Sequence, residues 1–510
     1  MLFNFFSIRS SLNQIYYYFM YNKLDFCFFE ILFATYGLII LAFGAECNRK
    51  FLTYGNSQMN TFISGTFFAI FFLFYLVGYC PTFVVGPLDE LFTSSIGDNF
   101  FYYTILFGLV VALIAFQTYA QNFKVGSFEY LVLLVFGCLG LIVLERSNDL
   151  LLLYLGLELA SFCFYILATY KRDSSYSTEA GLKYFLLGAL ASGFFLFSIV
   201  LFYGIGATTN YQLIETLVLG MDLSSSEIKI QQIALVFLIS ALLFKLASFP
   251  FQAWALDVYE GAPVASVVFL STVPKLGFLI VLVNLLFSIG VPHFNLWQLL
   301  LLSSGTLSIF WSAFAGIRQK RLKRFFAISG VANVGFLLLS LASGSFQGIN
   351  SMIFYVLAYI LTSFISWLFL VHKNQEKYKK VSLNLIDLGS IAGQNPLIGA
   401  ILALVILSFA GTPPLLGFVS KYTVLIAMLD SSLYMLAILI IFFSLFSGFY
   451  YLRLVKIIYF ENLTDQITGI QFSPLVASVI SYLSLTFICL CCYPTALITT
   501  SAFFGLGILI

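Results

Sequence analysis

The chain has 510 residues, of which 61% are hydrophobic and only 9% are charged, and its formal net charge is +2. Soluble domains contain roughly 45–50% apolar and about 25% charged residues. A soluble protein of this composition would expose much of its 60 Phe and 30 Tyr to water. The composition therefore excludes a cytosolic enzyme, and the small net charge excludes a basic surface for nucleic acid.

Apolar runs of about 20 residues predict an all-α polytopic membrane protein with about fourteen transmembrane helices. The linkers are short and polar, so residues 1–510 are expected to form a single membrane domain. The longest linker, 205–230, is expected to be a surface loop. The predicted spans, numbered in chain order, are 24–44, 62–80, 100–119, 128–146, 149–170, 179–204, 231–256, 261–288, 296–316, 324–342, 349–371, 396–428, 432–458 and 473–501.

The positively charged residues are distributed unevenly between the loops. Loops after odd-numbered spans hold 16 Lys and Arg residues, whereas the other loops and the N-terminal tail together hold 4. Short loops on the negative side of a membrane collect Lys and Arg. Both termini are therefore expected on the positive side. An error of one span in the middle of the chain would scramble this pattern, so the pattern also supports the number of spans.

Five ionisable residues inside the predicted spans are candidates for function. A charge at the centre of a membrane span costs roughly 2.5–3.5 kcal/mol, so such residues usually serve a function. These residues are Glu158, Lys183, Lys245, Lys275 and Lys421. Glu158, Lys245 and Lys275 lie near the middle of a span, which favours a functional role over a structural ion pair. Lys183 lies about one turn inside its span and follows Glu179 by four residues, so a local ion pair near the surface is the alternative.

Lysine is suited to proton transfer in a dry helical bundle. Desolvation disfavours the charged ammonium, whereas a nearby carboxylate favours it. The protonation of Lys245 would thus depend on Glu158, and a proton could then pass to Lys275. A histidine relay is not expected, because His293 and His372 fall in or beside loops.

Two predicted spans are interrupted by proline next to a membrane lysine. Pro250 follows Lys245 in the seventh span, and Pro413 and Pro414 precede Lys421 in the twelfth. Proline frees backbone carbonyls, which is tolerated at membrane depth where the segment is buried in protein or lines a wet cavity. Because the two broken helices are five spans apart, they indicate two repeats that enter the membrane from opposite sides.

Three separated segments resemble a known family, the antiporter-like subunit 2, or subunit N, of NADH:ubiquinone oxidoreductase (respiratory complex I). The segments are STEAGLKYF at 177–185, DVYEGAP at 257–263 and AGTPPLLGF at 410–418. The resemblance covers about residues 100–460. It implies two inverted five-helix repeats, residues 128–288 and 296–458, with broken helices 7 and 12.

The resemblance also implies a role for each buried charge. Glu158, Lys183, Lys245, Lys275 and Lys421 would form a proton relay along a polar axis, with Glu158 paired with Lys245. The tenth span, which often contains His in the family, has Asn333 here. An amide can orient water but cannot take up a proton near pH 7, so no protonation step is expected in this span.

Two features near the motifs are interpreted as structural. Asp257 and Glu260 precede the eighth span, where acidic groups at a helix start would complement its dipole, and a direct role in ion entry is the alternative. The basic run 318–324 is expected to anchor the orientation of the chain, and contact with anionic lipid or a partner is the alternative.

The resemblance implies a proton-translocating subunit that has no redox centre of its own. The sequence has no nucleotide loop, haem-ligand pair or iron–sulfur cysteine set. NADH, FMN, iron–sulfur clusters and ubiquinone are therefore expected in partner subunits. The expected neighbours are another antiporter-like subunit, a small membrane subunit and lipids. A multisubunit sodium/proton antiporter and a structural membrane scaffold are the alternative functions.

The many Phe residues are typical of a chain made inside an organelle with an A/T-rich genome. Residues 1–23 contain only Arg9 and Lys23 as basic residues, so no cleavable presequence is expected. The mitochondrial inner membrane is the expected location, with a bacterial inner membrane as the alternative.

Overall fold

A computed structural model of the chain describes residues 28–48, 63–67, 69–71, 96–123, 128–220, 225–371, 384–389, 391–461 and 472–509. In these residues, 11 helices are long and apolar enough to cross a membrane, and three shorter apolar helices accompany them. Every predicted span corresponds to one of these helices except the second, 62–80, most of which lies outside the described residues. The all-α polytopic fold is confirmed.

The helix bounds show where the predicted spans begin, end and break. The helices up to the first break are Phe28–Asn48, Ile96–Phe123, Phe128–Arg146, Leu150–Ala168, Ser175–Gly206, Tyr211–Gly220 and Ser225–Leu246. Those up to the second break are Ala253–Gly261, Val264–Leu270, Val273–Phe287, Phe294–Ile317, Leu322–Ala342, Phe346–Leu368, Ile391–Gln394 and Pro396–Ala410. The last are Leu416–Asp430, Tyr434–Phe460, Pro474–Cys492 and Thr495–Leu509.

Three segments differ from the sequence predictions. The expected surface loop 205–230 contains the helix Tyr211–Gly220, because the Asn210 side chain accepts a hydrogen bond from the backbone N–H of Gln212 and caps it. The eighth span breaks before Pro274, which has no N–H to donate to the preceding turn. The predicted last span is two helices, separated at Pro494 for the same reason.

The eighth and tenth spans form the centre of the bundle. Both are wholly enclosed by the rest of the chain, whereas only 28% of the thirteenth span, Tyr434–Phe460, is buried. The eleventh span, Phe346–Leu368, is 83% buried and packs beside them. Most polar side chains on these three helices, including Lys275, Asn333 and Tyr359, are therefore buried in the protein interior.

The two breaks that the sequence predicted lie one in each predicted repeat. The seventh span stops at Leu246 and resumes at Ala253, and the twelfth stops at Ala410 and resumes at Leu416. Left-handed backbone ends both first halves, at Ala247 with φ 58° and at Gly411 with φ 85°. The repeat boundaries and their inverted relation stay a prediction.

The fourth and fifth spans approach each other backbone to backbone. A Cβ atom on Gly140 would lie 2.6 Å from the Ala160 nitrogen, and one on Gly156 would lie 2.8 Å from the Leu144 nitrogen. Small residues permit such close approach between membrane helices. This contact fixes the position of the fifth span, which carries Glu158.

Candidate functional site

Lys245 lies in the last turn before the first break and is buried, with 4% of its surface exposed. Its Nζ donates a hydrogen bond to the Tyr165 hydroxyl at 3.3 Å and lies 5.5 Å from the centroid of that ring. The ammonium therefore reaches across to the fifth span.

Other side chains bind the carbonyls that the first break sets free. The Leu243 carbonyl accepts from the Ser248 hydroxyl at 3.1 Å, and the Phe244 carbonyl accepts from Trp254 Nε1 at 2.9 Å. Pro250 lies between these two donors in the chain. Because the backbone is satisfied without Lys245, the lysine is not needed to close the break.

Glu158 contacts Lys245 only indirectly. The Ser161 hydroxyl donates to the Glu158 backbone carbonyl at 3.1 Å and to the Glu158 carboxylate at 3.4 Å. Ser161 also interacts with the Tyr165 hydroxyl, which accepts from Lys245. These fifth-span residues follow one helix face at spacings of three and four. The direct Glu158–Lys245 ion pair implied by the family resemblance is not formed, and the Lys245 ammonium bonds the Tyr165 hydroxyl instead.

Lys275 lies just after the break in the eighth span and is also 4% exposed. Its Nζ donates to the Tyr359 hydroxyl at 2.9 Å. The Tyr359 hydroxyl in turn donates to the Ser271 carbonyl at 3.2 Å, and the Tyr259 hydroxyl donates to the Leu270 carbonyl at 3.2 Å. Two tyrosines therefore satisfy carbonyls at this break, and one of them also holds the lysine.

Lys421 lies on the second half of the broken twelfth span and is half-buried. Its Nζ donates to the carbonyls of Phe409 at 2.8 Å and Ala410 at 2.9 Å. These carbonyls are free because the helix ends at Gly411 and is followed by Pro413 and Pro414. At the second break, the lysine itself satisfies the backbone.

Lys183 occupies a different environment from the other three lysines. Its side chain is 43% exposed, and its Nζ lies 2.8 Å from the Glu179 carboxylate and 3.0 Å from the Asp257 carboxylate. The local pair that the sequence left as an alternative is formed and extends to a second carboxylate.

Asp257 and Glu260 do not lie at the start of the eighth span, as the sequence predicted. They belong to the separate helix Ala253–Gly261, towards its C-terminal end, where a helix dipole does not favour acidic groups. Arginines compensate them: Asp257 contacts Arg324 at 3.0 Å, and Glu260 contacts both Arg321 and Arg324.

Part of the basic run 318–324 therefore faces the chain itself. In addition to the two arginines, Lys323 Nζ donates to the carbonyls of Glu260 at 3.1 Å and Ala262 at 2.9 Å. These bonds satisfy the last carbonyls of the helix Ala253–Gly261. The contacts of these three residues join the two predicted repeats, and the role of the run as an orientation anchor stays a prediction.

Replacing Glu260 by Gln is expected to lower the thermal stability of the assembled protein. The change removes the negative charge between Arg321 and Arg324, and ion pairs whose cation is solvent-exposed contribute about 0.2–1 kcal/mol each. Thermal unfolding followed by intrinsic fluorescence in detergent measures the effect. Glu461→Gln is the matched control, because its partner Lys456 is 3.8 Å away and 68% exposed. Equal melting temperatures for the two variants would contradict the prediction.

The tyrosines that contact the lysines were not predicted from the sequence. Tyr165 and Tyr359 are two of 30 tyrosines, and the aromatic residues are spread over the whole chain. For Tyr165 there is one signal in the sequence: it follows Glu158 by seven residues and so lies on the same helix face. No such signal marks Tyr359. Among the described residues, no group of three or more His, Cys, Asp or Glu side chains is placed to hold a metal ion.

The fold and the buried lysines define a polytopic membrane protein whose interior carries ionisable groups at the breaks of its helices. Residues 147–447 match the family model described as "NADH:quinone oxidoreductase/Mrp antiporter, TM". The chain belongs to this family.

Named relatives and a solved structure agree with this membership. The chain is 34% identical over 366 residues to NADH-quinone oxidoreductase subunit N of Rhodospirillum rubrum, which covers 72% of this chain and 74% of the relative. It is 33% identical to NADH-ubiquinone oxidoreductase chain 2 of Marchantia polymorpha, covering 73% and 76%. A chain in the structure of respiratory complex I from Thermus thermophilus superposes with a TM-score of 0.73 at 25% identity, covering 92% of this chain and 98% of that one.

Proposed function

We propose that this chain translocates protons across an inner membrane as the antiporter-like subunit N, or chain 2, of NADH:quinone oxidoreductase. One observation carries the proposal: Lys245, Lys275 and Lys421 donate hydrogen bonds to neutral hydroxyl or carbonyl oxygens. None of the three forms an ion pair within the described residues. Such a lysine can lose its proton without leaving an unpaired buried carboxylate.

The contacts support an order of sites along the relay. Glu158 would receive a proton and communicate with Lys245 through Ser161 and Tyr165. Lys275 is the central site and Lys421 the terminal site. Lys183 is the member nearest the exposed surface of the chain, where Glu179 and Asp257 hold it. Asn333 orients groups around the relay and takes up no proton.

The chain is one subunit of a larger complex in this proposal, and its partners supply the redox chemistry. The chain binds no redox cofactor, and partner subunits hold NADH, FMN, iron–sulfur clusters and ubiquinone. Its neighbours are other membrane-arm subunits, including another antiporter-like subunit and a small membrane subunit, together with lipids. The chain resides in the mitochondrial inner membrane with both termini on the positive side. The asymmetry of Lys and Arg between loops supports this orientation.

A multisubunit sodium/proton antiporter is the second candidate, because the family description includes Mrp antiporters. The two candidates would use the same broken helices. Sodium-dependent proton exchange by the purified assembly in sealed vesicles, in the absence of NADH, would favour the antiporter. The names of the similar relatives favour NADH:quinone oxidoreductase.

The direct test is to identify the native assembly that contains this chain. Membranes are solubilised gently, the complexes are separated by size, and the chain is located by mass spectrometry. We expect it to migrate with inhibitor-sensitive NADH:quinone reductase activity. Migration in a smaller assembly without that activity would overturn the proposal and leave ion exchange as the function.

A further inference from the structure

The ninth span, Phe294–Ile317, lies beside the thirteenth span and runs in the same direction. Phe310 contacts Phe443 with ring centroids 5.2 Å apart, and Phe314 contacts Phe446 with centroids 5.9 Å apart. Because the residue numbers of the two contacts increase together, the helices are parallel. Their C-terminal ends therefore reach the same side of the membrane, which is the negative side in the proposed orientation.

The outer surface of this helix pair is apolar and rich in aromatic residues. At Gly448 a Cβ atom would meet no other atom within 4 Å, so the surface is open there. Membrane helices usually pack through small residues that let their backbones approach. Bulky rings do not suit such packing, whereas a flexible acyl chain can follow them. The exposed side chains of this aromatic face are Phe310, Phe314, Phe442, Leu445, Phe449 and Leu452.

Two exposed arginines lie at the negative-side end of the aromatic face. Arg453 Nη1 donates to the Ile317 carbonyl at 3.1 Å, and Arg318 directly follows that residue in the chain. Neither guanidinium takes part in a salt bridge of the described residues. A guanidinium has five N–H donors, so the bond to Ile317 leaves most of those on Arg453 available. Pairs of such donors match the oxygens of a phosphate group.

The length of the aromatic face matches one leaflet of a bilayer. From Phe442 to Arg453 the helix advances 11 residues, which is about 16 Å at 1.5 Å per residue. The hydrocarbon of one leaflet is about 15 Å thick, half of the bilayer core. A phospholipid has its phosphate at the surface of the leaflet and its acyl chains below. The two arginines and the aromatic face have the same vertical order.

We propose that Arg318 and Arg453 bind the phosphate of an anionic phospholipid from the negative-side leaflet, and that its acyl chains lie along the aromatic face. Basic pockets between membrane helices on this side of a membrane bind anionic head groups. The inference goes beyond the proposed function and needs only its membrane orientation. Within the basic run, Arg318 thereby faces lipid, whereas Arg321, Lys323 and Arg324 face the chain itself.

The first test counts the anionic phospholipids that stay bound to the purified native complex, by native mass spectrometry. The variant carries Arg318→Gln and Arg453→Gln together, because Gln can still donate to the Ile317 carbonyl but has no charge. We expect one fewer anionic phospholipid per complex. Arg172→Gln is the matched control, since Arg172 is an exposed arginine in another loop of the same side. Equal lipid counts in the double variant and the control would overturn the inference.

A second test uses the unmodified complex after its lipids have been removed with detergent. Phosphatidylglycerol, phosphatidylcholine or inorganic phosphate is added, and the temperature at which this subunit leaves the complex is measured. A ligand that binds only the folded assembly raises this temperature. We expect the largest rise with phosphatidylglycerol, and the double variant is expected to lose the difference between the two lipids. An equal rise with phosphatidylcholine, or with inorganic phosphate alone, would overturn the inference.

A cryo-EM map of the native complex in lipid nanodiscs tests the position directly. Head-group density is expected between Arg318 and Arg453, with acyl-chain density beside Phe314 and Phe449. A helix of a partner subunit covering this face would overturn the inference. The proposed function fails separately, because normal pumping by Lys275→Met would exclude the relay without changing the lipid count.

Discussion

Lys275→Met is expected to abolish most proton pumping while the complex still assembles. Met keeps an unbranched apolar stem and is one atom shorter than Lys, and changes that nearly conserve volume in a packed core are tolerated well. No buried carboxylate loses its partner, because the Lys275 ammonium bonds a neutral hydroxyl, that of Tyr359. In the variant, Tyr359 still donates to the Ser271 carbonyl. The effect should therefore fall on proton transfer and not on the fold. Pumping is measured in sealed membrane vesicles supplied with NADH and quinone, relative to the amount of assembled complex.

The control for this prediction is Lys456→Met, which makes the same chemical change on a side chain that is 68% exposed. It is expected to pump normally. A structural scaffold makes the opposite prediction for the central lysine: Lys275→Met would then pump as well as Lys456→Met. That outcome would exclude the relay.

Gly140→Ala is expected to reduce the amount of assembled complex severely. The added Cβ would lie 2.6 Å from the Ala160 nitrogen and 2.9 Å from the Gly156 carbonyl oxygen. Both atoms belong to a helix backbone, so the fourth and fifth spans must separate. Overpacking of this kind typically costs about 1–3 kcal/mol, and here it also displaces the helix that carries Glu158. Native gel electrophoresis and the thermal release of the subunit measure the loss.

Gly193→Ala is the matched control for the packing prediction. A Cβ at Gly193 meets no atom within 4 Å, and the residue also lies inside a membrane-spanning helix. Both substitutions gain the same intrinsic helix preference, about 1 kcal/mol in favour of Ala. Any difference between them therefore reports the helix–helix contact. Similar assembly of the two variants would show that the two helices tolerate separation.

The sequence predicted those features that depend on local chemistry. Long apolar runs predict membrane helices, and proline removes a backbone donor wherever it occurs, so the breaks near Pro250 and Pro413 could be located. Lys245 and Lys275 could be identified as buried because the runs around them are apolar. The break before Pro274 was missed because proline in the first turn of a helix is tolerated and gives no distinct signal.

Features that depend on contacts between distant residues could not be predicted. Glu260 and Arg321 are 61 positions apart, and nothing in the sequence indicates that their helices meet. The partner of Lys245 was expected to be Glu158, since opposite charges attract in a dry interior. The structure instead uses the hydroxyl of Tyr165, which no charge pattern could distinguish from other aromatic residues.

The breaks near Pro250 and at Pro413 satisfy their backbones in different ways, so the two breaks respond differently when their lysine loses its charge. At the first break, Ser248 and Trp254 bind the free carbonyls, so a change at Lys245 leaves the backbone untouched. At the second, Lys421 makes those bonds with its own ammonium. Charge-assisted hydrogen bonds weaken when the donor becomes neutral. Of the lysines at these two breaks, therefore, only Lys421 loosens a helix end when it loses its proton and so converts an electrical event into a mechanical one.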